Sequence, residues 1–205
     1  QALMIGGAGY SYPKNYLASF PHARLDVVEI DPDFTRLART YFRLQNDPRL
    51  TIYHEDGRTY LNRTTKQYDV IFCDAFSSLY SVPYQLTTVE TVRRIYAALN
   101  ENGVVFMNII SSIEGQTGEF LRAEYATFRV VFPHVFLFPV RIVSDGSVVQ
   151  NIMLVAFKNS MPPVLHSADA EMKSYLRHLW TQPVSTDIPI LTDDYAPVDT
   201  YMLKV

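Results

Sequence analysis

The sequence predicts an α/β fold: a mostly parallel, seven-stranded sheet with helices on both faces, finished at its C-terminal end by an antiparallel hairpin. Three observations predict it. Apolar runs alternate with amphipathic stretches along most of the 205 residues, the pattern of a parallel sheet buried on both faces. The stretch Met4-Ile5-Gly6-Gly7-Ala8-Gly9-Tyr10 is followed, about one βα unit later, by "LDVVEIDP", which ends in Glu29 and Asp31; it reads as strand, glycine turn, helix and second strand. Near the end, "HVFLFPVRIV" and "VVQNIMLVAF" flank Ser144-Asp145-Gly146-Ser147, a short Asp-Gly turn that makes its two strands antiparallel.

Each element follows in order. Strands are expected at residues 2–6, 25–30, 50–54, 68–73 and 103–110, before the hairpin. The clearest helix follows the second strand, with Asp31 as cap, Pro32 in the first position, and Phe34, Leu37, Ala38, Tyr41 and Phe42 on one inward stripe. Another opens on the capping box Thr87-x-x-Glu90, turns Val92, Ile95, Tyr96 and Leu99 inward and stops before Gly103. Residues 117–132 and 168–180 give two more helices, and Tyr60 and Leu61 lie on a further one. A parallel sheet finished by an antiparallel hairpin is the Rossmann-like sheet of class I methyltransferases rather than an ordinary dinucleotide-binding sheet.

Composition narrows the functional classes. With 48% hydrophobic residues the chain supports one well-buried core, so a single domain over residues 1–205 is expected. The formal net charge is −3 and the basic residues are scattered, so no footprint for nucleic acid is present. One cysteine, Cys73, makes no internal disulfide and suits a reducing compartment. No apolar run is long enough to span a bilayer, so no direct membrane contact is expected. The chain opens at Gln1 directly in its first strand, as a piece of a longer protein would. The expected location is the cytoplasm, alone or as the soluble part of a longer membrane-attached chain.

The glycine turn specifies the kind of ligand. From Gly7 a dinucleotide pattern G-x-G-x-x-G would need a third glycine where Tyr12 stands, which disfavours NAD, and Lys14 follows Pro13 rather than the glycine of a phosphate loop. A nucleoside without a pyrophosphate remains, such as S-adenosylmethionine or a relative. In an open α/β sheet the ligand lies at the carboxyl ends of the strands. The residues there are Gly6, Gly7 and Gly9 after the first strand, Glu29 with Ile30 and Asp31 after the second, Glu55-Asp56-Gly57 after the third, and Asp74 after the fourth. Glu29 is placed to accept both ribose hydroxyls. Asp56 is placed to accept from an adenine amino group, with Gly57 leaving room for the ring, to cap the helix of Tyr60 and Leu61, or to do both. Asp74, partly desolvated, is placed to take a proton from an attacking amine, whereas Cys73 points to the core. The aromatic segment after Asp74 is expected to form a lid with Phe76, Tyr80 and Tyr84 as walls. His22, His54, His134, His166 and His178 show no ligand spacing, so no metal is expected.

The stretches "MIGGAGYSYP", "VVEIDPDFTRLARTYF", "HEDGRTYL", "YDVIFCDAFSSLYSVPYQLTTVETVRRIYAALNENGVVFMNI" and "LTDDYAPVD" together resemble the spermidine synthase family, especially its bacterial domains found alone or fused to transporter-like membrane segments. The resemblance implies a class I methyltransferase fold that binds decarboxylated S-adenosylmethionine and passes its aminopropyl group to an amine such as putrescine. It implies Glu29 on the ribose, Asp56 and Gly57 at the adenine, Asp74 as the residue that deprotonates and orients the amine, and a homodimer.

Three departures accompany it. Gly9 stands where the family's glycine motif carries an aspartate that holds the donor's aminopropyl end. Ser77 stands where a second aspartate helps bind the cationic amine. A single domain that lacks the family's small N-terminal β-domain is expected over residues 1–205. Three readings stay open: an aminopropyltransferase-like enzyme with Asp74 as base, a methyltransferase using intact S-adenosylmethionine on an unknown acceptor, and a non-catalytic nucleoside-sensing domain. In "LTDDYAPVD", Asp193 reads as structural, and Asp194 either lines the acceptor pocket or fixes the loop.

Overall fold

The computed structural model describes residues 1–74, 82–142 and 144–205. Its strands are β1 (Ala2–Ile5), β2 (Leu25–Val28), β3 (Leu50–Tyr53), β4 (Tyr68–Cys73), β5 (Leu99–Ser111), β6 (His134–Pro139) and β7 (Gln150–Phe157), arranged β3-β2-β1-β4-β5-β7-β6. β1 to β5 pair in parallel, and β7 runs antiparallel between β5 and β6. The helices are α1 (Ser11–Ser19), α2 (Pro32–Tyr41), α3 (Gly57–Arg63), α4 (Val89–Ala98), α5 (Glu119–Val131), α6 (Ala170–Leu176) and α7 (Val198–Met202). The chain therefore has the expected α/β class and the methyltransferase-type sheet.

Strand alternation divides the core into two layers. Leu3 and Ile5 of β1 join Ile71, Cys73, Val105, Met107 and Ile109 under α3, α4, α5 and α7, while Ala2 and Met4 join Val27, Leu17 and Ala38 under α1 and α2. All four residues of β1 are buried, as a central strand covered on both faces requires. At the N-terminal edge of the sheet, buried Asp26 accepts from Lys66 Nζ at 2.7 Å, Tyr68 Oη at 2.9 Å and Tyr60 Oη at 3.5 Å. This cluster lies at the opposite end of the strands from the glycine turn.

Several local expectations need correction. The α2 stripe is rotated: Thr35 and Ala38 are buried, whereas Phe34, Leu37, Tyr41 and Phe42 are 48, 38, 72 and 52% exposed. The outer strand β3 is short and only partly buried, so α2 has just a narrow line of contact with the sheet. The cap of α4 is Thr88, whose Oγ1 accepts from Thr91 N, and not Thr87, whose hydroxyl instead donates to the Tyr84 carbonyl at 2.7 Å. Leu99 belongs to β5 rather than to that helix, because β5 begins well before Gly103. The helix expected at 168–180 is confined to α6. The antiparallel pair is not a tight hairpin: residues 140–149 join β6 to β7, and the Gly146 carbonyl accepts from the N–H groups of Ile113 at 2.8 Å and Glu114 at 2.9 Å. The turn residues are thus spent on anchoring the loop after β5. Among the described residues no helix is long and apolar enough to cross a membrane.

Candidate functional site

The glycine turn leaves the buried end of β1 and must reverse sharply into α1. Gly6 has φ of 95°, the region that favours glycine, and Ala8 and Tyr10 also take left-handed φ of 42° and 55°. Gly7 is required by packing, since a Cβ there would lie 2.8 Å from the Tyr10 ring. Tyr10 is fully buried and its hydroxyl hydrogen-bonds the Thr35 hydroxyl at 2.7 Å, pinning the turn to α2. Gly9 is different: a Cβ would meet only the Phe42 ring at 3.9 Å and Ser11 Oγ at 4.0 Å, which is ordinary contact.

Glu29 closes the turn from the end of β2. Its side chain is largely buried, with Oε2 accepting from Gly7 N at 2.8 Å and Ala8 N at 2.9 Å, and Oε1 accepting from Asp31 N at 3.0 Å. Each carboxylate oxygen has two acceptor directions, so among the described residues Oε2 is filled and one direction on Oε1 remains. Asp31 caps α2, its Oδ1 accepting from Asp33 N at 2.8 Å, while Ile30 stands exposed beside the turn.

At the end of β3, Glu55 pairs with Arg63, which holds its carboxyl below the usual range and commits it to that contact. Asp56 caps α3 through Oδ1, which accepts from Thr59 N at 2.9 Å, and its Oδ2 accepts from Gln85 Nε2 at 3.3 Å. A Cβ at Gly57 would lie 2.7 Å from Ile5 Cγ2, so this glycine lets α3 start against the end of β1. Its small size serves protein packing first.

Asp74 extends the β1–β4 ladder, its N–H donating to the Ile5 carbonyl at 3.0 Å. Its carboxylate faces solvent on one side, yet the protein packed around it raises its pKa; Asn108 Nδ2, 3.4 Å from Oδ1, offsets this in part. Cys73 points into the core as expected, where burial first, then Glu124 and Asp74, pushes its thiol up to about 12. It is no nucleophile at neutral pH.

The structure brings Gly6, Gly7, Gly9, Glu29, Ile30, Asp56, Gly57 and Asp74 to the carboxyl ends of four adjacent strands. Phe76, Ser77 and Tyr80 of the expected lid lie outside the described residues, whereas Tyr84 begins a 3₁₀ turn (Tyr84–Leu86) and is exposed. Asp194 is also exposed. Asp193 accepts from Arg58 Nη2 at 2.8 Å and from the Thr88 hydroxyl at 2.6 Å. Arg58, Gln85 and Arg122 escaped the sequence reading. Arg122 is buried on α5, pairs with Asp187 at 2.7 Å and donates to the carbonyls of Ile113 at 3.1 Å and Gly115 at 2.8 Å, fixing the loop after β5. Among the described residues no cluster of His, Cys, Asp and Glu could hold a metal ion.

Comparison with known proteins gives the arrangement a context. Residues 2–159 match the spermine/spermidine synthase domain model. The polyamine aminopropyltransferase of Vibrio vulnificus is 28% identical over 211 residues, covering 96% of this chain and 68% of that enzyme. A probable spermidine synthase from Corynebacterium glutamicum superposes with a TM-score of 0.75 at 22% identity, over 96% of this chain and 73% of that one. Human methyltransferase-like protein 13, solved in complex with SAH, superposes with a TM-score of 0.66 at 22% identity, over 97% and 87% of the two chains. At these identities the two superpositions speak for the fold.

Proposed function

Because the chain belongs to the spermine/spermidine synthase domain family, we propose that it is a transferase that binds an S-adenosylmethionine-type donor in its glycine-turn cradle and passes the donor's aminopropyl group to a small amine. The observation that carries this reading is the position of Asp74. It ends the strand next to the glycine turn, tied to Ile5 by a ladder hydrogen bond, and its carboxyl is made more basic by the protein around it. A carboxylate so placed accepts the proton of the incoming ammonium and orients the freed lone pair. Attack on the carbon next to the sulfonium forms the new C–N bond and breaks the C–S bond. The bonding pair goes to sulfur, which leaves as a neutral thioether nucleoside.

The rest of the cradle supports donor binding. Glu29 offers Oε1 to a ribose hydroxyl, Ile30 offers an apolar face to the base, and Asp56 offers its carboxylate to the adenine amino group. The 205 residues act in this reading as one catalytic domain.

A second reading, transfer of a methyl group from intact S-adenosylmethionine, is favoured by one observation. A Cβ at Gly9 would meet the Phe42 ring and the Ser11 hydroxyl, and this position itself brings no carboxylate to repel the donor's own. Calorimetry with intact S-adenosylmethionine, its decarboxylated form and methylthioadenosine, followed by mass analysis of the product amine, tests both. Tighter binding of the decarboxylated donor and a mass gain of one aminopropyl group is the expected result. Tighter binding of the intact donor with methylation favours the second reading, and no binding of the three sinks both.

A further inference from the structure

Arg58 joins four segments on the Asp56 side of the cradle. Its Nη1 donates to the Gln85 carbonyl at 3.5 Å, to Thr88 Oγ1 at 3.2 Å and to Thr91 Oγ1, and its Nη2 donates to Asp193 Oδ2 at 2.8 Å. Asp193 is fixed in turn, since the Thr88 hydroxyl donates to its Oδ1 at 2.6 Å and its own N–H donates to Glu90 Oε2 at 3.0 Å. The neighbouring backbone is pinned as well: Val89 N donates to the Leu191 carbonyl at 2.8 Å, and Leu191 N donates to Thr127 Oγ1 at 2.9 Å. Gln85, its carbonyl gripped by Arg58 and by the Thr91 hydroxyl, donates from Nε2 to Asp56 Oδ2 at 3.3 Å. A continuous polar chain thus runs from Asp193 through Arg58 and Gln85 to Asp56. Its far end lies beyond residues 2–159, the span that matches the family domain.

From this geometry we infer that Asp193 is a positioning residue of the donor site, which through Arg58 and Gln85 aims the Asp56 carboxylate at the nucleobase and so sets the preference for a 6-aminopurine. The inference rests on the proposed role of Asp56 at the adenine. The physical case is one of degrees of freedom. A guanidinium is a rigid planar fork, so anchoring one arm on Asp193 orients the other arm on the Gln85 carbonyl. A Gln85 backbone held in place delivers its side-chain amide to one particular oxygen of Asp56. With Oδ1 occupied by the helix cap and Oδ2 steadied by Gln85, the carboxylate keeps one orientation before the ligand arrives. Preorganisation of this kind is expressed in affinity for the group that the carboxylate recognises.

The test measures, by calorimetry, the affinity of the intact chain for methylthioadenosine and for the analogue that lacks the 6-amino group. The wild type is expected to prefer the amino-bearing nucleoside by roughly tenfold, the value of one good hydrogen bond to a charged group. Asp193→Asn and Arg58→Lys are each expected to weaken methylthioadenosine by roughly three- to tenfold and to leave the deaminated analogue within about twofold, so that the preference shrinks. Gln85→Leu, which removes only the Nε2 contact, should do the same and carries the test if the latch variants do not fold. Equal weakening of both nucleosides, in step with a fall in Tm, would show Asp193 to be merely structural and overturn the inference. Asp56→Ser keeps a capping oxygen while deleting the second carboxylate oxygen. If it leaves the preference intact, the role of Asp56 falls and the inference with it. If it abolishes the preference while the Asp193, Arg58 and Gln85 variants keep it, only the latch is refuted.

Discussion

Replacing Glu124 should stabilise this protein. Glu124 sits in the second turn of α5, on the face that also buries Phe120, Leu121 and Phe128, and it is 0% exposed. Among the described residues neither of its carboxyl oxygens has a hydrogen-bond partner, and burial raises its pKa well above the ordinary 4.5, so the native state holds the proton to a higher pH than the unfolded chain does. A neutral buried polar group without partners costs about 1–3 kcal/mol. Glu124→Met, of similar length and apolar, removes that cost, and for a chain of this size the gain corresponds to roughly 2–10 °C in Tm. The charge adds a pH-dependent part. Above pH 4.5 the unfolded chain releases a proton that the native state retains, so the unfolded state binds fewer protons and wild-type stability falls as pH rises, by up to about 1.4 kcal/mol per pH unit until the raised native pKa is reached. Glu124→Gln replaces the unsatisfied carboxyl with an unsatisfied amide but has no proton to lose. It should match the wild type near pH 4 and exceed it above that, by a margin that grows until the raised native pKa is passed. Urea denaturation of the three proteins at pH 4, 6 and 8 is the assay. A Met variant that is less stable at every pH, with a wild-type difference flat in pH, would refute the assignment, because it would mean that the carboxyl is satisfied in solution.

Three other substitutions have outcomes that follow from the geometry. Asp74→Asn should lower kcat by roughly 10²–10⁴ with little change in donor affinity. The wild-type rate should rise with pH through a carboxyl pKa above the ordinary 3.8, a limb that steady-state pH profiles should show to be missing from the variant. Gly57→Ala forces a Cβ to within 2.7 Å of Ile5 Cγ2 and should cost about 1–3 kcal/mol of overpacking, visible in thermal melts; an unchanged Tm would mean that the start of α3 yields freely. Lys66→Met leaves Asp26 buried with only tyrosine hydroxyls and should cost roughly 3 kcal/mol. Desolvation lowers the Lys66 pKa but its partner contacts together outweigh it and raise the value above 10.5, so the stability it contributes is fully present below that; the loss should therefore be the same at pH 7 and pH 9 in denaturant titrations.

The parts of the fold that were legible in the sequence are those set by neighbouring residues. Strand positions followed from apolar runs, the glycine turn from Gly6, and the α2 start from Asp31 and Pro32, because each depends on local conformation and one hydrogen bond or dihedral. The errors came where a distant surface chooses among local options. Phe34, Leu37 and Tyr41 make as good a helical stripe as Thr35 and Ala38, but α2 packs along the narrow line beside Tyr10 and Thr35, which only the placement of α1 decides. Thr87 and Thr88 are adjacent candidates for one cap, and the choice falls to Thr88 because its hydroxyl also reaches Asp193. The Asp145-Gly146 turn looked like a tight hairpin, yet its carbonyl is taken by the backbone after β5.

The same distinction separates two layers of the candidate site. Glu29 contacts Gly7 and Ala8 across one βα unit, and Asp74 contacts Ile5 across one parallel pairing, so a short pattern of glycines and strand-end carboxylates suffices to predict them. Arg58 and Asp193 are 135 residues apart, and neither carries a local signal that differs from an exposed helix arginine or a loop aspartate. Arg58 nonetheless lies one residue past Gly57, and Asp193 one residue before Asp194, inside the two motifs "HEDGRTYL" and "LTDDYAPVD" that were singled out for other reasons. The meeting of those motifs explains why the second could not be assigned on its own. Asp193 has no chemistry to perform until Arg58 is beside it, and its proposed effect on a donor is expressed three contacts away, through Arg58 and Gln85, at a carboxylate that already reads as a helix cap.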